Sequence, residues 1–234
     1  MKAVHNRITY LVGLLSILIL SGCTASPPQP NVSLNTNLLA REDVKVGIYY
    51  AAPEDKATTH IWGANCLICY GVASALTGGL DTHLESTIST EELDAIKELV
   101  HSKYSARFNN VQMVDLPAPL KEMKDFKDQL GFPEKDFRGL RESLDVEVLV
   151  IVQIGSHGAY RSFSNYIPNG DPQGYIGGLL YSVDLNTNAY LQYLSIDEKV
   201  QPTGEWDEPP RYPSVTTAYY QAVENAKQKI EKSF

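Results

Sequence analysis

Val148-Leu149-Val150-Ile151-Val152 decides the fold. The run is continuously apolar, where a strand with one wet face would alternate. It fits a strand covered on both faces, the centre of a sheet. The strand extends from Val146 to Ile154 and on towards Tyr160, with Gly155 and Gly158 permitting a bend or bulge.

Upstream, Val44 to Tyr50 is rich in β-formers and reads as the first strand, ended near Pro53. A short helix is expected from about Ala64 to Leu76, closed by Gly78-Gly79. Ser89 followed by Glu92 has the spacing of a capping box. Leu93, Ile96, Leu99 and Val100 then share one helical face, so a helix should run to about Phe108. Val111 to Leu116 reads as a strand, and Leu120 to Leu130 as a helical turn or two. Pro133 can open another helix that faces Phe137, Leu140 and Leu144 inward.

Downstream, Gly174 to Asp184 and Ala189 to Val200 flank the turn Leu185-Asn186-Thr187-Asn188 and form a hairpin. A proline-rich loop spans 202–213. Ser214 or Thr217 caps a last helix, whose apolar face holds Val215, Tyr219, Ala222, Ala226 and Ile230. The order is β-α-β-α-β-β-β-α. It predicts an α/β (α+β) domain over 43–234, with a single mixed sheet, a C-terminal antiparallel meander and helices packed against it.

The amino terminus carries a separate signal. Lys2 and Arg7 precede an apolar run from Ile8 to Leu20, which is short for a membrane span. Leu20-Ser21-Gly22-Cys23 resembles a bacterial lipobox. That resemblance implies a signal peptide over 1–22, cleavage before Cys23 and acyl chains on Cys23. Each buried methylene of such a chain contributes about 0.8 kcal/mol. Thr24 stands where lipoproteins kept at the inner membrane often have Asp, so the resemblance favours the outer membrane, with the domain facing the periplasm. Residues 23–42 open with Pro27, Pro28 and Pro30 and carry no charge before Arg41, which reads as a flexible tether.

The formal net charge is −8, and removing Lys2 and Arg7 makes it more negative. This excludes nucleic acid as an expected partner and an electrostatic grip on anionic lipid. Membrane attachment is then left to the lipid.

With Cys23 acylated, Cys66 and Cys69 remain. In an oxidising compartment such a pair usually forms a disulfide, the expectation here. A redox couple and half of a metal site are the alternatives. Haem attachment would need His where Tyr70 stands, and zinc would need two more ligands, for which His60 and His83 are the nearest candidates. Ser156 and His157 are adjacent, so in a strand they point to opposite faces and do not share a proton. Trp206, Asp207 and Glu208 either present an aromatic flanked by carboxylates to a partner, or Trp206 packs its loop onto the sheet. No catalytic, metal or cofactor signature is visible.

The element order resembles the amino-terminal domain of TolB and lipoproteins such as CsgG and LpoB. Gly63 to Cys69, Tyr166 to Pro172 and Gly204 to Pro210 carry a narrower likeness to a group of proteobacterial lipoproteins without assigned activity. Neither likeness assigns a role, and the reading adopted from the sequence is a non-catalytic envelope lipoprotein that binds a protein partner or further copies of itself. The alternative is a thiol-redox or metal-handling protein using Cys66 and Cys69. Cys23→Ala is expected to leave an unlipidated precursor, read by its size and by membrane fractionation. Normal processing and membrane recovery of that variant would rule the lipobox out.

Overall fold

In the computed structural model, which describes residues 27–53, 56–208 and 211–234, β4 (Val148–Ser164) is the spine of a seven-stranded mixed sheet. Its first half pairs in parallel with β1 (Lys45–Ala51), and its second half pairs in parallel with β2 (Thr58–Trp62). β3 (Asn110–Met113) lies outside β1, also parallel. Along its other edge β4 pairs antiparallel with β6 (Gln173–Asp184), and β6 with β7 (Tyr190–Val200). A two-residue strand, β5 (Ile167–Pro168), folds back on the end of β4. The register shifts between Ile154 and Ser156, so the bulge falls at Gly155.

The apolar run is buried on both faces. Val148, Val150, Val152 and Ile154 belong to the larger core, with Leu93, Ile96, Val215 and Tyr219. Leu149 and Ile151 belong to the smaller one, with Phe137, Tyr181 and Val183. The larger core lies under α2 (Leu67–Thr87), α3 (Glu91–Ser105) and α5 (Pro213–Glu231). The smaller core lies under the excursion from Val114 to α4 (Leu140–Leu144). A buried polar chain ties the first layer to the C-terminus: the Tyr104 hydroxyl donates to Gln192 Oε1 at 2.7 Å, and Gln192 Nε2 donates to Ser233 O at 3.2 Å.

Several local expectations need correction. The first helix does not stop at Gly78-Gly79 but runs 21 residues to Thr87, because Thr77, Leu80 and Leu84 continue its buried stripe. That burial outweighs the cost of two glycines, about 1 kcal/mol each. The capping box is not formed. Thr90 precedes α3 without a side-chain cap, and Ser89 Oγ only accepts from Glu91 N at 3.3 Å; α3 ends at Ser105, short of Phe108. No helix opens at Pro133. The Phe137 N–H donates to Asn188 Oδ1 at 2.9 Å and the Asp136 N–H to Lys124 O at 2.8 Å, so these amides are held away from helical partners. α5 starts at Pro213, one residue before the expected Ser214 cap. β2 was not anticipated.

The stretch expected as a flexible tether is docked from Gln29 onward. Val32 bridges Tyr193 of β7, and Asn35 caps a short helix, α1 (Thr36–Leu39). Leu34 and Leu38 are buried in the larger core.

α5 crosses β6 so closely that a Cβ on Gly174 would lie 2.1 Å from the Ala218 carbonyl carbon. Gly174→Ala should therefore cost about 3 kcal/mol through overpacking. A thermal melt matching the parent protein would show that the helix has room to move away.

Candidate interaction surface

The stretches Gly63–Cys69 and Tyr166–Pro172, and the described part of the third, Gly204–Glu208, meet at the far end of β4. Gly63 closes β2 with φ +83, and a Cβ there would sit 2.1 Å from Phe163 O. Only glycine lets the chain pass β4 so closely and turn into α2. Across the same junction the Asn165 N–H donates to Gly63 O at 3.3 Å. Arg161, buried on β4, joins the other two stretches. Its Nε donates to Gly170 O at 3.0 Å, and its guanidinium lies 4.7 Å from the Trp206 ring centre. Burial lowers the Arg161 pKa from its ordinary value, and nearby Asp171 opposes that shift. Trp206 also stacks near Tyr212, with centroids 6.4 Å apart, and is half-buried, while Asp207 and Glu208 are exposed. Trp206 thus packs its loop down, and the two carboxylates remain available to a partner.

Cys66 is the N-cap residue of α2, and Cys69 lies in the helix's first turn. Their Cα atoms are 4.9 Å apart and their sulfurs are at disulfide distance. Cys66 Sγ also accepts from Cys69 N at 3.0 Å. Cys66 is exposed and Cys69 buried. His60 and His83 lie apart from the pair in their contacts. His60 stacks with Tyr160 and Tyr175, whereas His83 Nε2 is 2.9 Å from Thr216 Oγ1. Burial lowers the pKa of both histidines, and Lys199 lowers that of His60 further. Ser156 and His157 face opposite sides of β4; His157 Nδ1 is 3.4 Å from the Tyr219 hydroxyl on the helix side. Cys23 lies outside the described residues.

α2 presents a surface that neither cysteine announces. One stripe, Cys69, Ala73, Thr77, Leu80 and Leu84, packs inward. Asp81 fixes the helix to the edge of β2: its Oδ1 accepts from Thr59 N at 2.7 Å, and its Oδ2 accepts from the Thr77 hydroxyl at 2.9 Å. The opposite stripe is also apolar: Ile68, Val72 and Leu76 are exposed and recur at i, i+4, i+8. Leu67 is 91% exposed, Ile68 79% and neighbouring Trp62 63%. Among the described residues, eight of the eleven large exposed hydrophobic side chains lie on α2, at the end of β2 or where β4 turns into β5, so apolar exposure is concentrated at this end. No Asp, Glu, Lys or Arg occurs between Lys56 and Asp81. That gap was the available sequence signal; a helix apolar on every side is normally buried on every side.

Among the described residues no helix is long and apolar enough to cross a membrane. No protein-family model matches the chain, and no curated protein matches it in sequence. Solved structures show a distant likeness. A PelC dodecamer from Paraburkholderia phytofirmans is 8% identical over 85% of this chain and 95% of that one, with a TM-score of 0.33. The hypothetical protein CT253 from Chlamydia trachomatis is 10% identical over 80% and 98%, with a TM-score of 0.29. Lipoprotein GNA1162 from Neisseria meningitidis is 10% identical over 77% and 99%, with a TM-score of 0.24.

Proposed function

We propose that the chain is an outer-membrane lipoprotein, anchored through Cys23, that binds an envelope protein with the outer face of α2 and acts as a non-catalytic accessory. The uncharged, exposed stripe of Ile68, Val72 and Leu76 carries this reading. Such a face is costly to leave in water at about 25 cal/mol per Å². Trp62, Tyr70 and Tyr166 add aromatic anchors of the kind that dominate protein interfaces. Ile68→Glu with Val72→Glu should change stability little, since both side chains are exposed. The same variant should lose the partner that crosslinks to the parent protein in intact envelopes. Undiminished recovery of that partner would place binding elsewhere.

A thiol-redox or metal-handling role is the second reading. One observation favours it: an exposed Cys66 paired with a buried Cys69 at the start of a 21-residue helix. A helix N-terminus favours thiolate, and an accessible sulfur can be attacked. We expect the pair to be structural instead. Its loop is far shorter than the 15 residues for which chain entropy gives about 3 kcal/mol, so Cys66→Ser with Cys69→Ser should lower stability only modestly. Partner crosslinking should persist in that variant. Two free thiols or a stoichiometric metal in the protein analysed by mass spectrometry without reductant would favour the second reading.

A further inference from the structure

The sheet face opposite α2 holds a separate hollow. A cavity of about 1030 Å³ lies between the β6–β7 hairpin and the excursion before α4, with Tyr181, Tyr190, Tyr193 and Phe132 in its wall. A second hollow of about 710 Å³ shares Leu120, Lys121 and Gln153 with it and extends the groove to the ends of β1 and the first half of β4. The rings form a ladder: Tyr181 and Tyr190 meet edge to face at 5.7 Å, and Tyr190 and Tyr193 lie 5.0 Å apart. Burial raises all three phenol pKa values, and Glu134 adds to each, so the groove presents neutral hydroxyls. Lys121, Lys127 and Lys135 line it together with Asp128 and Glu134, so the charges there are of both signs.

The chain itself shows what this groove accepts. Pro27 and Pro28 line the cavity, and three of the four residues from Pro27 to Pro30 are proline. Gln29 Oε1 accepts from Gly131 N at 2.7 Å beside them. The segment then joins the outer edge of β7: Asn31 Oδ1 accepts from Ser195 N at 3.1 Å, and Val32 and Tyr193 exchange backbone bonds at 2.7 and 2.8 Å. A proline-rich chain is extended before it binds, so it loses little entropy on docking, and aromatic grooves are its common receptor.

We propose that the tyrosine groove is a binding site for an extended, proline-rich segment of a partner protein, with the chain's own Pro27 and Pro28 occupying one end. This site is independent of α2, so either assignment can fail alone. The mixed rim charges favour a neutral peptide over a polyanion, and the outer edge of β7, where Val32 already pairs with Tyr193, accepts an extended peptide backbone that a saccharide does not have.

The test is fluorescence anisotropy of the detergent-purified protein with a labelled peptide, Ser-Pro-Pro-Gln-Pro-Asn-Val-Ser. The parent protein should bind weakly, because its own segment competes. Pro27→Gly with Pro28→Gly should bind at least tenfold more tightly, and adding Tyr190→Ala should remove that gain. Because Tyr190→Ala can loosen the sheet, a benzophenone-bearing peptide maps the contact without that change. Crosslinks within residues 179–193 support the proposal. Absence of binding in both proteins, crosslinks on α2, or displacement of the peptide by a neutral oligosaccharide such as cellohexaose would overturn it.

Discussion

One strand has to serve two neighbours along the same edge. β4 is 17 residues long, and β1 covers only its first half. The second half would expose its backbone N–H and C=O groups along that edge, a cost the fold meets with β2. β2 then becomes an edge itself, and the Asp81 carboxylate on α2 takes its Thr59 N–H. The position of α2 follows from that chain of obligations. The helix is required where it lies by its inner stripe, while its outer stripe is left in solvent.

The order of elements was legible because burial writes it into the residue pattern. Val148 to Val152 announced a strand covered on both faces, and two cores do cover it. The hairpin from Gly174 to Val200 was legible for the same reason, together with its turn residues. What escaped depended on partners distant in sequence. Thr58 to Trp62 is a strand because it pairs in register with Gly158 to Ser162, about 100 residues later, and nothing local encodes that pairing. Gly78 and Gly79 suggested a helix end, yet Leu80 and Leu84 find a core contributed by other elements.

The candidate surface was only partly visible beforehand. Cys66, Cys69 and Trp206 stand out by residue type, and the fold assembles their stretches around Gly63 and Arg161. Arg161 carried no signal of its own, because its role depends on Gly170 and Trp206 arriving from two loops. The exposed stripe on α2 was hidden in a different way. Ile68, Val72 and Leu76 look like core residues in sequence, and only the position of β2 shows that another stripe of the helix is the buried one.

The docked amino-terminal segment changes what the proposed anchor can do. A free tether over residues 23–42 would let the domain roam some tens of ångströms. With the chain held at Gly131 by Gln29, Cys23 lies six residue steps from the fixed point. At about 3.5 Å per residue, that slack is roughly 20 Å at full stretch. Under the proposed lipidation the domain therefore stays beside its own membrane, and a partner must come to it. The tyrosine groove lies where the anchored segment enters the fold. The apolar end lies beyond the far end of β4, and the seven steps from Tyr193 to Val200 already cover about 24 Å of that path at roughly 3.4 Å each. A partner segment docked in the groove therefore needs at least about seven further extended residues to reach the apolar end.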